Sequence, residues 1–173
     1  MAVADRVLVA IAVVAVLTID ALYLAIIRSQ DGPPTPDVLT VPFVASYLGL
    51  MATLLAASLF VPVAARPALR GAASGGLLVL GVLSAFSIGV AVMLAAAPAI
   101  AATVLAINAR PGAKSVVAAA IAAVLSVVLM AAGFEVAWNH LVCPPTGESG
   151  GTTASLLGNG SSYDCSDGVL TVH

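Results

Sequence analysis

From Ser74 to Ile107 the chain runs for 34 residues without a single Asp, Glu, Lys or Arg, and this stretch restricts the possible folds more than any other feature. A domain folded in water would have to cover so long an uncharged run with a polar shell, and the raw material for a shell is missing. Charged residues make up 8% of the 173 and hydrophobic ones 61%, with a mean hydropathy of +1.15. Soluble domains devote about a quarter of their residues to charge. The solvent that suits this chain is hydrocarbon, where backbone amides must bond to one another and helices satisfy them within a single segment.

A bilayer core about 30 Å thick takes about 20 apolar residues in helical form. Three runs meet that length directly: Val7 to Ile27, Val41 to Ala65 and Ser115 to Trp138. The uncharged 34-residue run is too long, because as one helix it would measure about 51 Å at the α-helical rise. Two helices, about 67–85 and 89–108, joined by a tight turn at Phe86-Ser87-Ile88-Gly89, divide it into spans of ordinary length. The first run exceeds the apolar core of a signal peptide, and Thr18-Ile19-Asp20-Ala21 lacks a small-residue cleavage pattern, so an uncleaved first helix is expected.

Basic residues choose between four spans and five, since cytoplasmic loops gather Lys and Arg. Four spans would set Arg6, Arg66 and Arg70 on one side against Arg28, Arg110 and Lys114 on the other. Five spans place Arg6, Arg66, Arg70, Arg110 and Lys114 together and leave only Arg28 opposite. The sequence therefore predicts an all-α integral membrane protein of five, alternatively four, transmembrane helices at about 3–28, 41–65, 67–85, 89–108 and 114–139. A Gly/Ser-rich extracytoplasmic tail, 140–173, follows. The N-terminus is expected in the cytoplasm of a bacterial cell and the protein in its plasma membrane, crossing it several times. The Pro-rich stretch within Ser29 to Thr40 reads as a short, stiff outer connection.

The segment from Arg70 through Gly75-Gly76, Gly81 and Phe86-Ser87-Ile88-Gly89 resembles small uncharacterised multi-pass membrane proteins of actinobacterial type. In that pattern a Gly-rich helix ends at a Phe-Ser-Ile-Gly turn and another helix follows. The resemblance covers Arg70 to Ala109. It implies the split into two helices and no particular activity.

Few residues can carry chemistry. Asp20 lies eight residues before Arg28, about 12 Å below the outer end of the first helix at helical rise. A carboxylate at that depth must face protein or water, either as a proton or cation relay or as a partner for a neighbouring helix's hydroxyl or amide. Glu135 precedes Trp138, Asn139 and His140 at the outer interface, where Trp is enriched. In the five-span arrangement Asp20, Arg28, Glu135 and His140 share the outer half and form the one polar constellation the sequence offers, if they converge. Spacings such as Gly71 to Gly75, Ala52 to Ala56 and Ala91 to Ala95 permit close helix approach, but a chain so rich in alanine produces them by chance.

Cys143 and Cys165 bracket a tail segment free of Lys and Arg, and outside the cytoplasm two cysteines with no other partner oxidise together. A disulfide is expected. His140, Cys143, Cys165 and His173 supply a Cys2His2 set without a zinc-site spacing, so no metal is assigned. Asn159-Gly160-Ser161 fits a glycosylation acceptor, relevant only on a eukaryotic secretory route. Phosphate-binding and dinucleotide loops, the metalloprotease helix and the serine-nucleophile elbow are missing. No cofactor and no catalytic residue is assigned, and without a Lys/Arg cluster nucleic acid is not an expected partner.

The expected partners are the bilayer and, through small-residue helix faces, other membrane proteins or a second copy. The leading expectation is a non-enzymatic structural or accessory membrane component. The rival is a small transporter or proton/cation-coupled carrier using intramembrane carboxylates.

Overall fold

The computed structural model describes residues 2–30, 38–85, 87–109, 111–146, 148–152 and 161–173. The Pro-rich connection at 31–37, Phe86 of the turn, Arg110 and the Asn159-Gly160 part of the glycosylation acceptor lie outside the described residues. The chain is mostly helical: α1 (Ala2–Arg28), α2 (Thr40–Ala57), α3 (Arg66–Leu83), α4 (Gly89–Asn108) and α5 (Ala113–Asn139), then β1 (Glu148–Thr152), β2 (Ser162–Ser166) and β3 (Val169–Val172). The long uncharged stretch is divided into α3 and α4 between Leu83 and Gly89. The carbonyl of Ser84 there accepts hydrogen bonds from the amides of Ser87 (2.9 Å) and Gly89 (2.8 Å). Gly89 sits so close to Gly81 and Ser84 that no Cβ fits at its position, which explains glycine at this corner.

Four helices, α1, α2, α4 and α5, are long and apolar enough to cross a membrane. The fifth is of a different kind. α3 begins with Arg66, carries Arg70 in its second turn and holds Gly71, Gly75, Gly76 and Gly81. Pro67 opens its first turn, where the missing N–H costs no bond. Its buried face mixes Arg70, Gly71, Ser74 and Gly81 with Ala73, Leu77 and Leu80, while Leu78, Val82 and Leu83 are exposed. The other helices wear a similar coat: Ile11, Leu22, Leu94, Ile121 and Leu125 are each at least half exposed. Such a surface is compatible with a membrane location.

α3 is the hub. It packs most extensively against α5 and α4 and also against α2, while α1 packs mainly on α2 and α4. The registers give directions. Gly71 lies against Ala119 and Gly75 against Ala123, so α3 and α5 run parallel. Ser74 pairs with Thr103 and Gly81 meets Met93, so α3 and α4 run antiparallel. A Cβ on Gly71 would stand 2.5 Å from the Ala119 carbonyl oxygen and one on Gly75 2.6 Å from the Ala123 Cβ. The Gly71–Gly75 spacing, read above as a product of chance, is therefore the contact along which two helices meet backbone to backbone.

Polar bonds pin the same interface. Tyr47 Oη donates to the Ser126 carbonyl (2.9 Å), and Ser126 Oγ is within hydrogen-bonding distance of the Ala72 (2.8 Å) and Ala123 (2.9 Å) carbonyls. At the other end of α2 and α5, Phe43, Phe134 and Trp138 form an aromatic stack with centroids 5.0 and 5.1 Å apart.

Two elements depart from expectation. α2 stops at Ala57 instead of continuing to residue 65. Ser58 Oγ caps the helix by donating to the Leu55 carbonyl (2.7 Å), and Pro62, which has no amide proton, prevents continuation. The tail carries a three-stranded antiparallel sheet in the order β1-β2-β3. Asp167 (φ 47°) and Gly168 (φ 83°) make the two-residue turn between β2 and β3. Two positive φ values in succession define the hairpin turn whose twist matches its strands.

Candidate functional site

The two ends of the bundle carry polar groups of different character. At the end where α1, α3 and α5 begin, Arg70 is wholly buried although it is charged. Its Nη1 and Nη2 grip the two carboxylate oxygens of Asp5, with Nη2 to Oδ2 at 3.0 Å. Nη1 also donates to the Ala102 carbonyl (2.9 Å) and Nε to Ser58 Oγ (3.0 Å). One guanidinium thus ties α3 to α1, α4 and the end of α2. A planar five-donor fork suits this role as an ammonium could not. The node borders a cavity of about 290 Å³ lined by Asp5, Val63, Arg66, Leu105 and Asn108 among others. Arg66 lies alongside, its Nε donating to the Val61 carbonyl (3.3 Å).

Asp5 and Arg70 were not among the residues singled out from the sequence. The signal was there: Arg70, Ser74, Leu77 and Gly81 recur at helical spacing, so an arginine in a Gly-rich helix shares its face with the residues that must pack most closely. An inward arginine in a chain with so little charge demands an acid from another helix, and Asp5 lies at the matching end.

The opposite end holds the four residues that the sequence did single out. Asp20 is half-buried. It falls on the α1 stripe of Val9, Ala12 and Val16, all fully buried, and its Oδ1 is buried with no hydrogen-bond partner among the described residues. Arg28 and His140 are exposed at the ends of α1 and α5. Glu135 is half-buried; Asn139 Nδ2 donates to its carbonyl (2.7 Å) and its Oε1 (3.3 Å). Among the described residues α1 packs mainly on α2 and α4, and α5 mainly on α3.

The same end holds a cavity of about 320 Å³ to which α1, α2, α3 and α5 and the α3–α4 turn contribute. Tyr23, Phe134 and Trp138 give it aromatic walls, Val44, Leu80, Leu83 and Ile88 aliphatic ones, and Thr40, Ser84 and Ser87 hydroxyls. Tyr23 lies one turn above Asp20 on α1, about 4.5 Å along the axis. Ser84 Oγ donates its proton to the Leu80 carbonyl (2.6 Å) and Ser87 Oγ to the Ser84 carbonyl (3.1 Å).

Beyond α5, Cys143 and Cys165 stand at disulfide distance, with Cα atoms 5.5 Å apart. The link joins the chain just past α5 to the middle strand of the sheet, while Gly168 of the hairpin turn rests near Pro144 and Pro145. With both cysteines so engaged, the described residues contain no group of three or more His, Cys, Asp and Glu able to hold a metal ion. His173 instead lies 3.5 Å from Asp164 across the sheet. No family model, curated protein or solved structure matches this chain.

Proposed function

We propose that the chain is a multi-pass integral membrane protein that crosses the bilayer five times and serves as a non-enzymatic structural or accessory component of the membrane. The Arg70 node carries this reading. A helix with two arginines and four glycines is a poor span by itself, but α3 is jacketed by apolar helices and its buried charge is matched by Asp5 and held by Ser58 and Ala102. Breaking such a pair would strand a charge in a medium of low dielectric. The node fixes four segments in one arrangement, which is what a scaffold requires.

The charge distribution supports the orientation. Arg6, Arg66, Arg70 and Lys114 belong to the starts of α1, α3 and α5, so that end faces the cytoplasm and the disulfide-linked sheet lies outside, in keeping with oxidised cysteines. The plasma membrane of a bacterium is the location this implies. Partners are lipid and other membrane proteins or a second copy, met through the exposed apolar coat. Purification from native membranes in mild detergent tests the accessory role: a reproducible companion or a homo-oligomer is expected, and a bare monomer overturns it.

A second reading, a small cation- or proton-coupled carrier, is favoured by one observation, the buried and unbonded Oδ1 of Asp20. It expects Asp20→Asn to abolish an ion-dependent flux in liposomes. A flux that persists in the variant removes this reading.

A further inference from the structure

We propose that the cavity beside the Arg70 node receives the phosphate of an anionic phospholipid headgroup, with Arg66 as the side chain that binds it. The inference rests on the membrane reading above and on no particular orientation, since headgroups lie at both faces of a bilayer.

The cavity holds about 290 Å³, and both arginines line it together with Asp5 and Asn108. The two arginines differ in what they have left to offer. Arg70 is fully buried, and its bonds to Asp5, Ser58 and Ala102 occupy Nε, Nη1 and Nη2. Arg66 is half-buried. Its Nε donates to the Val61 carbonyl (3.3 Å), which anchors the guanidinium, and its Nη groups make no hydrogen bond or ion pair among the described residues. A guanidinium with that edge free is matched to phosphate, whose oxygens accept two parallel N–H bonds.

Charge selects the sign of the ligand. Two arginines and one aspartate line the cavity, and Asp5 is already paired with Arg70, so one positive charge is left uncompensated. A metal cation is repelled by it, a neutral ligand leaves it as it was, and an anion neutralises it.

The rest of the lining selects a lipid over a free anion. Val63, Leu105, Ala106 and Ala109 supply carbon walls. Val63 and Ala109 are exposed whereas Ala106 and Arg70 are buried, so the cavity runs from an open apolar rim to a charged floor. Free phosphate gains nothing from carbon walls, whereas the glycerol and first acyl carbons of a phospholipid bury against them. The lining residues come from the starts of α1 and α3, the end of α4 and the segment before α3. The ends of apolar spans stand at headgroup level, where basic pockets between helices hold anionic headgroups.

Titration calorimetry on the purified full chain in a non-ionic maltoside detergent compares dihexanoylphosphatidylglycerol, dihexanoylphosphatidylcholine and inorganic phosphate. The expected result is a saturable site for the glycerol lipid, with the choline lipid and inorganic phosphate each at least roughly tenfold weaker, a difference of about 1.4 kcal/mol. Arg66→Gln should bring the glycerol lipid down to the affinity of the choline lipid. Lys114→Gln, which removes an exposed charge that does not line the cavity, should leave its affinity unchanged. Val63→Trp fills the cavity from its exposed rim and should abolish the saturable site, so it decides if Arg66→Gln does not fold. Equal affinity for the two lipids overturns the proposal, as does a preference that survives Arg66→Gln or Val63→Trp, or an equal loss in Lys114→Gln. Inorganic phosphate binding as tightly as the glycerol lipid would make this a free-anion site and overturn the lipid assignment. Sedimentation with the membrane fraction is scored separately. A chain that pellets with membranes but shows no preference loses the site and keeps the membrane reading, and one that stays in the aqueous fraction loses both.

Discussion

Arg70 and Asp20 are both charged residues on inward helix faces of one small bundle, and their surroundings could hardly differ more. Arg70 is bonded to Asp5, Ser58 and Ala102, while the buried oxygen of Asp20 has no bond among the described residues. A buried charge whose hydrogen bonds are met holds elements together, because each bond fixes a neighbour. A half-buried carboxylate with one buried oxygen unmet has no such hold on its neighbours. On this comparison the end where α3 begins is tied together through Arg70, whereas the described contacts of Asp20 tie nothing at the other.

The widest gap between the two ends should come from Arg70→Met, which leaves Asp5 without its partner. We expect a loss of about 3 to 5 kcal/mol, seen as a large fall in thermal unfolding temperature in detergent. Pairing it with Asp5→Leu should restore much of that stability, and a double variant as unstable as the single one would refute the charge argument.

Next in size is the tail. Cys165→Ser should cost the sheet about 3 kcal/mol by the loop-entropy relation, so limited proteolysis should cut the tail faster while the helical melting temperature holds. A matching fall in helical stability would mean that the sheet supports the bundle.

Gly71→Leu probes the α3–α5 contact and should cost about 1 to 3 kcal/mol through overpacking against Ala119. Gly49→Leu is its control, for a Cβ there meets nothing within 4 Å. The smallest effect belongs to Asp20→Asn, which removes a charge and breaks no bond recorded for that residue. Its melting temperature should equal or slightly exceed that of the wild type, and a fall comparable to that of Arg70→Met would erase the contrast between the two ends.

Much of the bundle was legible in the chain. The uncharged runs gave the helices, and the grouping of Arg66, Arg70 and Lys114 favoured five over four. Side-chain convergence was not legible, because it depends on which helices become neighbours. Asp20 and Glu135 stand on helices that pack mainly on other neighbours, α1 on α2 and α4 and α5 on α3, and the sequence alone does not say which helices meet. Arg70 was counted only as a flanking charge and Asp5 was not considered, although the face that Arg70 shares with Ser74 and Gly81 marks it as inward. In the tail, Asp167-Gly168 before Val169-Leu170-Thr171-Val172 is a strong hairpin signal that the Gly/Ser-rich composition obscured. The early end of α2 was signalled by Pro62, inside a run that hydropathy alone extends.

The central claim is that the two ends face opposite sides of a membrane. Topology reporters fused after Ser87, Pro111 and His173 in a bacterial host test it directly. The account predicts that Ser87 and His173 report outside and Pro111 reports inside; Ser87 and Pro111 reporting from the same side would contradict it.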